Sequence, residues 1–298
     1  MKTGAMAGGA LRSLHSAASR SVAARATPDT TLEGRKYLVT GATDGIGRHT
    51  ARQLALRGAT VLLHGRSQAR VEQTIAEIAK DTGVECQGYV HDFKALAGAR
   101  ALADDVLRDH GSVDCLLNNA GVYLPSKEVS DDGFEMTWAV NVLAPFVLTQ
   151  ALVGAVSWRI VNVASLSAAH SVDFGNLNQE RGYDGHNAYS LSKIANICFS
   201  NCLADRLAKA GSPVTSNSLD PGTVDTKMLR AGWSMGGIPV STANNQLHLC
   251  TSPGVEGVSG AYYVSQRMTS PPPPATDRDT REQLWATMEE HTGVKFSL

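Results

Sequence analysis

The sequence predicts a single α/β domain in which a doubly wound, central parallel β-sheet is covered by helices on both faces. From residue 36 onward, short apolar runs rich in β-branched residues alternate with longer amphipathic stretches. The short runs are apolar almost without interruption, as in strands buried on both faces, and a helix after each strand is typical of parallel sheets. With 298 residues and 43% hydrophobic content, the chain can form one substantial core.

Each element has a local reason. The strands are β-branched runs bounded by glycine or polar residues. They are expected at 36–40, 60–64, 84–90, 113–117, 159–164 and 214–219. The helices have apolar residues at helical spacing. They are expected near 45–57, 67–80, 94–110, 131–156, 187–210, 241–250 and 278–291. Asn187 is expected to cap the fifth helix, and Gly211 followed by Pro213 to end it.

The main domain is expected to cover residues 31–298, with a substrate-loop region at about 222–298 where the regular alternation is lost. Gly232, Gly236 and Gly237 predict a mobile segment that closes over substrate. The run Pro271–Pro274 is expected to be an extended surface turn, because proline cannot join a sheet ladder or continue a helix. A docking site for a proline-binding module is the alternative.

Residues 1–30 form a separate N-terminal extension. They contain four basic residues and no acid before Asp29, and they are rich in Ala, Ser and Gly. This pattern is typical of an organellar transit peptide and predicts a mitochondrial or plastid protein. A disordered tail on a cytoplasmic protein is the alternative.

Charge and composition exclude several partners. The net charge of −1 leaves no global basic surface for nucleic acid or an anionic membrane. No later stretch of about 18 uncharged apolar residues is expected, and no transmembrane span is predicted. The five cysteines are odd in number and lack a C-x-x-C motif, which favours buried reduced thiols, although Cys198 and Cys202 could form a redox or metal pair. No histidine spacing suggests a metal site.

A glycine-rich turn lies between the first strand and the first helix, with the sequence T-G-A-T-D-G-I-G at 40–47. Glycines in this context let the backbone approach a pyrophosphate, which then lies at the helix N-terminus. The motif lacks the G-K-[ST] ending of triphosphate-binding loops. It therefore predicts a dinucleotide site of the Rossmann type, and the expected cofactor-binding residues in the turn are Gly41, Thr43, Asp44, Gly45, Ile46 and Gly47.

The end of the second strand predicts which dinucleotide binds. An acid there would bond the 2′-hydroxyl of NAD, whereas this sequence has Arg66, which can form a charge-assisted fork with a 2′-phosphate. NADP(H) is therefore expected rather than NAD(H). Asp92, after the third strand, could accept a hydrogen bond from the adenine amino group or serve as a turn residue.

Tyr189 and Lys193 are four residues apart on a predicted helix and so share one face. An ammonium beside a phenol favours the phenolate, which predicts that Lys193 lowers the pKa of Tyr189 toward the range of an acid/base catalyst. Any helix can carry this pair by chance, so the pair alone does not establish chemistry.

Together with other motifs, the pair makes residues 34–298 resemble the classical short-chain dehydrogenase/reductases. The matching positions are the turn at 40–47, the Asn-Asn-Ala-Gly motif at 118–121, Asn141 in V-N-V, Ser165 in V-N-V-A-S, Tyr189 and Lys193 in Y-S-L-S-K, and Pro221 and Gly222 in D-P-G-T-V-D-T. Within that family the sequence is most similar to the retinol-dehydrogenase-like group, which includes WW-domain oxidoreductases. The hydrophobic N-terminal anchor common in retinoid members is not expected here.

The resemblance implies site roles beyond the residues discussed above. Asn141, Ser165, Tyr189 and Lys193 would be catalytic, with Lys193 also binding the nicotinamide ribose. Asn119, Ala120 and Gly121 would lie near the adenosine ribose. Pro221, Gly222, Thr223 and Thr226 would lie against the nicotinamide carboxamide. Independently of the resemblance, each of three residues has a structural alternative. Asn141 could stabilise a kink in a helix, Ser165 could hydrogen-bond the backbone of its own turn, and Thr226 could cap a helix.

The expected activity is hydride transfer between NADP(H) and a small apolar aldehyde, ketone or secondary alcohol, with a retinoid-like substrate included. The side chains expected above the nicotinamide are Leu124, Met228, Leu229, Trp233, Met235 and Ile238. A noncatalytic NADP(H)-sensing or scaffold protein is the alternative, and sugar-nucleotide epimerase chemistry is a second. The resemblance also implies a possible homodimer through the long helices after Gly133 and Asn187.

Overall fold

A computed structural model describes residues 31–298, so the predicted targeting segment at 1–30 lies outside the described residues. Its centre is a sheet with the strand order β3-β2-β1-β4-β5-β6-β7-β8. The strands are β1 Lys36–Val39, β2 Thr60–Gly65, β3 Gln87–Val90, β4 Val113–Asn118, β5 Val156–Val163, β6 Thr215–Leu219, β7 Tyr262–Val264 and β8 Arg267–Thr269. All neighbouring strands are parallel except β7 and β8.

Helices cover both faces of this sheet. They are α1 Gly45–Ala55, α2 Gln68–Thr82, α3 Leu96–His110, α4 Met136–Trp138, α5 Ala144–Leu152, α6 Gly185–Lys209, α7 Lys227–Trp233, α8 Asn245–Thr251, α9 Pro273–Thr276 and α10 Arg278–Thr292. One core contains Leu54 of α1 and Leu249 of α8. The other contains Phe146 of α5 and Leu284 of α10. The predicted doubly wound α/β fold is confirmed.

The order of the strands places a crevice at β1. Val39 of β1 lies opposite Leu63 of β2 on one side and Leu117 of β4 on the other. The chain continues outward through β2 and β3 in one direction and through β4 to β7 in the other. Ligands of such sheets bind beyond the carboxyl ends of the strands where the order reverses. The loops after β1 and β4 are therefore where a site is expected.

The structure differs from the prediction at three points, two in the sheet and one at the start of the longest helix. The antiparallel pair β7 and β8 was not predicted, and β5 begins at Val156 rather than at residue 159. Asn187 does not cap α6; the cap is Asp184, whose carboxylate accepts from the Asn187 N–H at 2.8 Å, so that the helix begins at Gly185. Gly211 ends α6 as predicted, with a φ of +69°.

The proline run is only partly extended. Pro272 is extended, but Pro273 begins the short helix α9, and Pro274 is buried. The expectation of an extended surface turn was wrong here because proline is tolerated in the first turn of a helix, where its missing N–H has no intrahelical partner to lose.

An apolar helical run extends from Met136 to Ala155, with 20 residues and a mean hydropathy of 1.5. The expectation that no such stretch follows the N-terminus was therefore wrong, since length and composition alone would let this run cross a membrane. However, 78% of its apolar window is buried inside the fold. Core packing explains the composition, as at Phe146 and Leu148, which have no exposed surface.

The C-terminal segment packs on the two helices for which the resemblance implied dimer contacts. The Trp285 ring lies 5.2 Å from that of Phe146 in α5 and 5.9 Å from that of Phe199 in α6. Phe296 joins the same cluster, 4.8 Å from Trp285. This part of both helices is thus covered by the chain itself.

We expect Trp285→Ala to lower the free energy of unfolding by about 3–5 kcal/mol, because Trp285 is 2% exposed and its removal leaves a cavity. Urea unfolding followed by circular dichroism measures the change. Met268→Ala is the matched control, since that side chain is 66% exposed and its loss should cost less than about 0.5 kcal/mol. Equal losses in both variants would contradict the role of the C-terminal segment in the core.

All five cysteines are buried and free, as predicted. Burial raises the pKa of Cys86 and of Cys202 to about 11, so these thiols are poor nucleophiles. Within residues 31–298, no group of three or more His, Cys, Asp or Glu side chains is arranged to hold a metal ion.

Candidate active site

The glycine turn between β1 and α1 has no room for side chains at two positions. Gly41 has a φ of +62°, and a Cβ there would lie 2.8 Å from the Ala120 Cα. A Cβ on Gly47 would lie 2.4 Å from both the Gly41 carbonyl oxygen and Asn119 Nδ2. Glycine is therefore required for the close approach of α1 to the sheet.

The remaining residues of the turn lie where α1 begins. Asp44 is the N-cap of the helix and accepts from the Gly45 N–H at 2.8 Å, and Ile46 follows in the first turn. The Thr43 side chain lies against Gly65 at the end of β2, since a Cβ on Gly65 would be 2.5 Å from Thr43 Cγ2. The N–H groups of this first turn have no intrahelical acceptor and suit an anion such as a pyrophosphate.

Asp44 also joins two basic side chains. Its carboxylate lies 2.9 Å from Arg70 of α2 and 2.7 Å from Lys227 of α7. Partial burial opposes ionisation, but hydrogen bonds from Lys227 and Gly45 hold the pKa of Asp44 below its usual range. A cavity of about 240 Å³ adjoins this group, and Arg48 also lines it. Positive charge is thus concentrated beside the glycine turn.

The Asn-Asn-Ala-Gly motif connects β4 to this turn. Asn119 Nδ2 donates to the Thr40 carbonyl at 2.8 Å, and the Thr40 hydroxyl accepts from the N–H groups of Asn119 and Ala120 at 2.9 and 3.0 Å. The Asn119 side chain therefore positions the turn. Gly121 lies near two residues that were expected to be catalytic, because a Cβ there would lie 3.3 Å from Asn141 Oδ1 and 3.7 Å from Lys193 Nζ.

The two residues expected to recognise the adenosine half differ in their surroundings. Arg66 follows β2, is exposed, and forms no ion pair or hydrogen bond with another described residue. Asp92 is exposed too, but it accepts from the Lys94 N–H at 3.0 Å, which is the turn role that the sequence left open.

His64 was not singled out in the sequence, yet it supports the glycine turn from β2. Its Nδ1 accepts from the Gly41 N–H at 3.3 Å, and its Nε2 lies 2.9 Å from the His91 carbonyl oxygen, to which it can donate. Burial lowers the pKa of His64 to about 4, so the ring is neutral near pH 7 and can act as donor and acceptor at once. A histidine directly before Gly65 and Arg66 was the available signal.

Ser165, Tyr189 and Lys193 come together at the carboxyl ends of β5 and β6. Lys193 Nζ lies 5.3 Å from the centre of the Tyr189 ring and donates to the Val163 carbonyl at 3.0 Å. Ser165 Oγ accepts from the Ser167 N–H at 3.1 Å, so it does bond its own turn, and its hydroxyl lies close enough to the Tyr189 phenol to favour the phenolate. All three residues are at least nine-tenths buried.

Burial dominates the ionisation of the pair. It raises the pKa of Tyr189 to about 12, while the Ser165 hydroxyl lowers this pKa in part and the Asp220 charge raises it further. Burial also lowers the pKa of Lys193 to about 8, which Asp220 opposes. The expected lowering of the phenol pKa by Lys193 is therefore not seen. Tyr189 is protonated near pH 7, the form that a proton donor needs.

Asn141 lies in the π-helical segment Ala139–Leu143, between α4 and α5. Its Oδ1 accepts from the Val122 N–H at 2.8 Å, and its Nδ2 donates to the Val122 carbonyl and to Ser192 Oγ, both at 3.0 Å. The side chain thus fixes the π-helical segment to the loop after β4 and to α6. This agrees with the structural alternative for Asn141, in which it stabilises a kink in a helix.

The Pro-Gly motif forms a turn after β6. Gly222 has a φ of +90°, its N–H donates to Asp220, and the Thr223 carbonyl accepts from the Ile238 N–H at 2.9 Å. Pro221 is half-buried in the same turn. Thr226 caps α7 by accepting from the Leu229 N–H at 3.2 Å, as the alternative reading stated, and it also lies 3.4 Å from a Cβ placed on Gly45.

Three aromatic side chains, Tyr123, His186 and Trp233, lie next to Tyr189 and are called the aromatic group below. Trp233 lies 5.3 Å from both Tyr189 and Tyr123, and His186 lies 5.1 Å from Trp233, between ring centres. Only Trp233 was predicted. Tyr123 lies two residues after the Asn-Asn-Ala-Gly motif and His186 precedes Tyr189 by three residues, and these spacings were available signals.

The other expected substrate-side residues are less close to the chemistry. Leu124 packs against the core, and its carbonyl accepts from the Tyr183 hydroxyl at 2.9 Å. Met228 and Leu229 are half-buried in α7. Met235 and Ile238 are each 49% exposed, so they form the outer edge of this region.

The chain is similar to known proteins over most of its length. The sequence model of the short chain dehydrogenase family matches residues 35–235. Human retinol dehydrogenase 14 is 34% identical over 296 residues, with 88% of each chain covered. Mouse polyprenol dehydrogenase is 34% identical over 285 residues, covering 88% of this chain and 84% of its own.

Solved structures show the same similarity. An uncharacterised protein from Mycobacterium paratuberculosis has a TM-score of 0.76 and 28% identity, covering 90% of this chain and 97% of its own. A short chain dehydrogenase from Burkholderia cenocepacia J2315, in complex with NADP, has a TM-score of 0.64 and 27% identity, with coverage of 79% and 97%. A blue fluorescent protein from a metagenomic library, in complex with NADPH, has a TM-score of 0.63 and 29% identity, with coverage of 79% and 98%.

Proposed function

The chain belongs to the short chain dehydrogenase family and is an oxidoreductase for C=O or CH–OH groups, and from that premise we propose that it reduces small apolar aldehydes or ketones with NADPH. The observation that carries the proposal is the position of Tyr189, buried beside Lys193 and Ser165, next to the crevice of the glycine turn. A proton donor and a dinucleotide cradle are what carbonyl reduction requires.

The residues present fit a dinucleotide. Side chains at Gly41 and Gly47 would collide with the backbone or with Asn119, so the turn leaves its backbone accessible, and α1 begins beside it. When bound, the nicotinamide would supply the hydride. We propose that Lys193 of α6 binds the nicotinamide ribose, since its Nζ lies near Gly121 after β4 and donates to the Val163 carbonyl at the end of β5.

Protein side chains supply the proton and the orientation. Tyr189 donates its phenolic proton to the alkoxide oxygen that forms on reduction, and Ser165 donates a hydrogen bond to the same oxygen. Burial of both side chains excludes water and strengthens these interactions. In the oxidative direction Tyr189 must first lose its proton, so the high pKa of about 12 favours reduction near pH 7.

The test is oxidation of NADPH, followed by the ultraviolet absorbance of the reduced nicotinamide, with a panel of apolar aldehydes and ketones. We expect turnover of several of them. A folded protein that binds NADPH and oxidises it with none of the panel would instead support a noncatalytic NADP(H) sensor.

We propose NADP(H) rather than NAD(H) because Arg66 is exposed beside the Thr43–Gly65 contact and has no partner among the described residues. A bidentate guanidinium–phosphate contact would account for an arginine at this position. We expect Arg66→Gln to raise KM for NADPH by at least about tenfold and to leave KM for NADH nearly unchanged. The tenfold change corresponds to a loss of roughly 1.4 kcal/mol of binding free energy.

Arg100→Gln is the matched control for Arg66, because Arg100 is also exposed but lies in α3. Steady-state kinetics with both dinucleotides give the ratio of kcat/KM values. The NADP preference would be refuted by a wild-type enzyme that uses NADH as well as NADPH, or by an Arg66→Gln variant with an unchanged ratio.

The aromatic group supports an apolar acceptor. Its rings cover Tyr189, so a carbonyl that reaches the phenol must contact Trp233 or Tyr123. Two of the relatives are named retinol dehydrogenase and polyprenol dehydrogenase, and both names refer to long apolar alcohols. We therefore include long apolar alcohols and their aldehydes in the proposed substrate class. Such compounds therefore belong in the test panel.

A further inference from the structure

Asp220 is a buried carboxylate at the catalytic end of the sheet to which nothing above assigns a role. It follows β6 directly, precedes the Pro-Gly turn and is 4% exposed. A carboxylate is rarely buried to this extent unless its oxygens are hydrogen-bonded or a cation lies near. Hydrogen bonds from two backbone N–H groups meet the first condition, and they connect Asp220 to the loop that carries Ser165 and to the Pro-Gly turn.

The two carboxylate oxygens bridge two loops. Oδ1 accepts from the N–H of Leu166, the residue after Ser165, at 2.8 Å, and Oδ2 accepts from the Gly222 N–H, also at 2.8 Å. The Asp220 backbone is itself fixed, because its N–H donates to the Tyr263 carbonyl and its carbonyl accepts from Asn245 Nδ2. One side chain thus determines how the serine loop lies relative to the Pro-Gly turn.

The charge of Asp220 acts on the catalytic pair. Lys193 is 3% exposed, and its ammonium has the Val163 carbonyl as hydrogen-bond acceptor. Burial raises the pKa of Asp220 above its usual range, and the N–H groups of Leu166 and Gly222 and the charge of Lys193 oppose that rise. Burial lowers the pKa of Lys193, and the charge of Asp220 opposes that fall. Burial raises the pKa of the Tyr189 and Tyr262 phenols, and the charge of Asp220 raises both further.

We propose that Asp220 is a positioning residue of the reductase site, which holds the Ser165 loop against the Pro-Gly turn and supplies the buried counter-charge of Lys193. The kinetic part of this inference rests on the proposed function. The electrostatic part does not, since the protonation of Lys193 can be measured without turnover.

The sign of the pH effect follows from the charges. Reduction needs protonated Tyr189 and charged Lys193, and the Asp220 carboxylate raises the pKa of both groups. Replacing Asp220 by the isosteric, neutral Asn removes that effect. We therefore expect D220N to move the alkaline limb of the kcat profile to lower pH by roughly one unit.

The direct test titrates Lys193 by carbon-13 NMR in protein with labelled lysine, the resonance being assigned with a Lys193→Arg variant. We expect the Lys193 pKa to fall by roughly one unit in D220N and to stay near the wild-type value in D220E, which keeps the charge even if its kcat falls. Asp114→Asn is the structural control. Its carboxylate also accepts a backbone N–H, that of Lys36 at 2.8 Å, but at the amino ends of the strands.

An unchanged Lys193 titration in folded D220N, or an equal change in Asp114→Asn, would overturn the inference. The same holds for a D220N enzyme whose kcat profile coincides with that of the wild type. If wild-type protein reduces no carbonyl compound while its Lys193 pKa falls in D220N, the proposed function fails and the electrostatic role of Asp220 stands.

Discussion

Tyr189→Phe will lower kcat/KM for carbonyl reduction by about a thousandfold, within the range that general acid catalysis contributes. The substitution removes only the hydroxyl that donates the proton. The ring is buried beside Trp233 and Tyr123, and phenylalanine can keep those contacts. Steady-state rates with NADPH measure the loss, and fluorescence titration with NADPH checks that dinucleotide binding is retained.

Tyr89→Phe is the control for Tyr189. Tyr89 is also buried, and its hydroxyl bonds Asp109 at 3.1 Å on the far edge of the sheet, away from the crevice. We expect its activity to remain within about twofold of the wild type, because this hydrogen bond lies away from the crevice and a single hydrogen bond contributes little to stability. A folded Tyr189→Phe enzyme as active as Tyr89→Phe would exclude Tyr189 as the proton donor.

Gly47→Ala will disrupt the dinucleotide cradle. The added methyl would lie 2.4 Å from the Gly41 carbonyl oxygen, so backbone rather than a flexible side chain must shift. We expect the free energy of unfolding to fall by about 2 kcal/mol and the affinity for NADPH to fall by at least about tenfold. Urea unfolding and fluorescence titration measure the two changes.

Gly154→Ala is the matched control, because no atom lies within 4 Å of a Cβ placed there. Its stability and NADPH affinity should stay close to those of the wild type. If Gly47→Ala bound NADPH as tightly as Gly154→Ala, the glycine turn would not be the cradle that the geometry indicates.

The sequence was most informative where burial on both faces produces a continuous apolar run, as in β2 and β4. It failed at β7 and β8, since each has three residues and all of β8 is exposed. Ser265 and Gln266 connect these strands with φ values of +48° and +63°. Such turns usually contain Asn or Gly, and without those residues the hairpin has no local signature.

The site was predictable to the extent that its residues occur in ordered motifs. The grouping of Ser165, Tyr189 and Lys193 followed from motif order, whereas their ionisation depends on burial, a tertiary property. Asp220 has no spacing pattern of its own, so its two loop contacts became visible only in three dimensions. The Asn187 error has a similar origin, because Asp184 and Asn187 are equally good caps by residue type.

The short helix α7 touches both halves of the crevice. Lys227 at its start pairs with Asp44 of the glycine turn, and Trp233 at its end packs on Tyr189. If the helix shifts when coenzyme binds at the glycine turn, the position of Trp233 beside Tyr189 changes as well. Thermodynamic reciprocity then requires that coenzyme and acceptor change each other's affinity by the same factor.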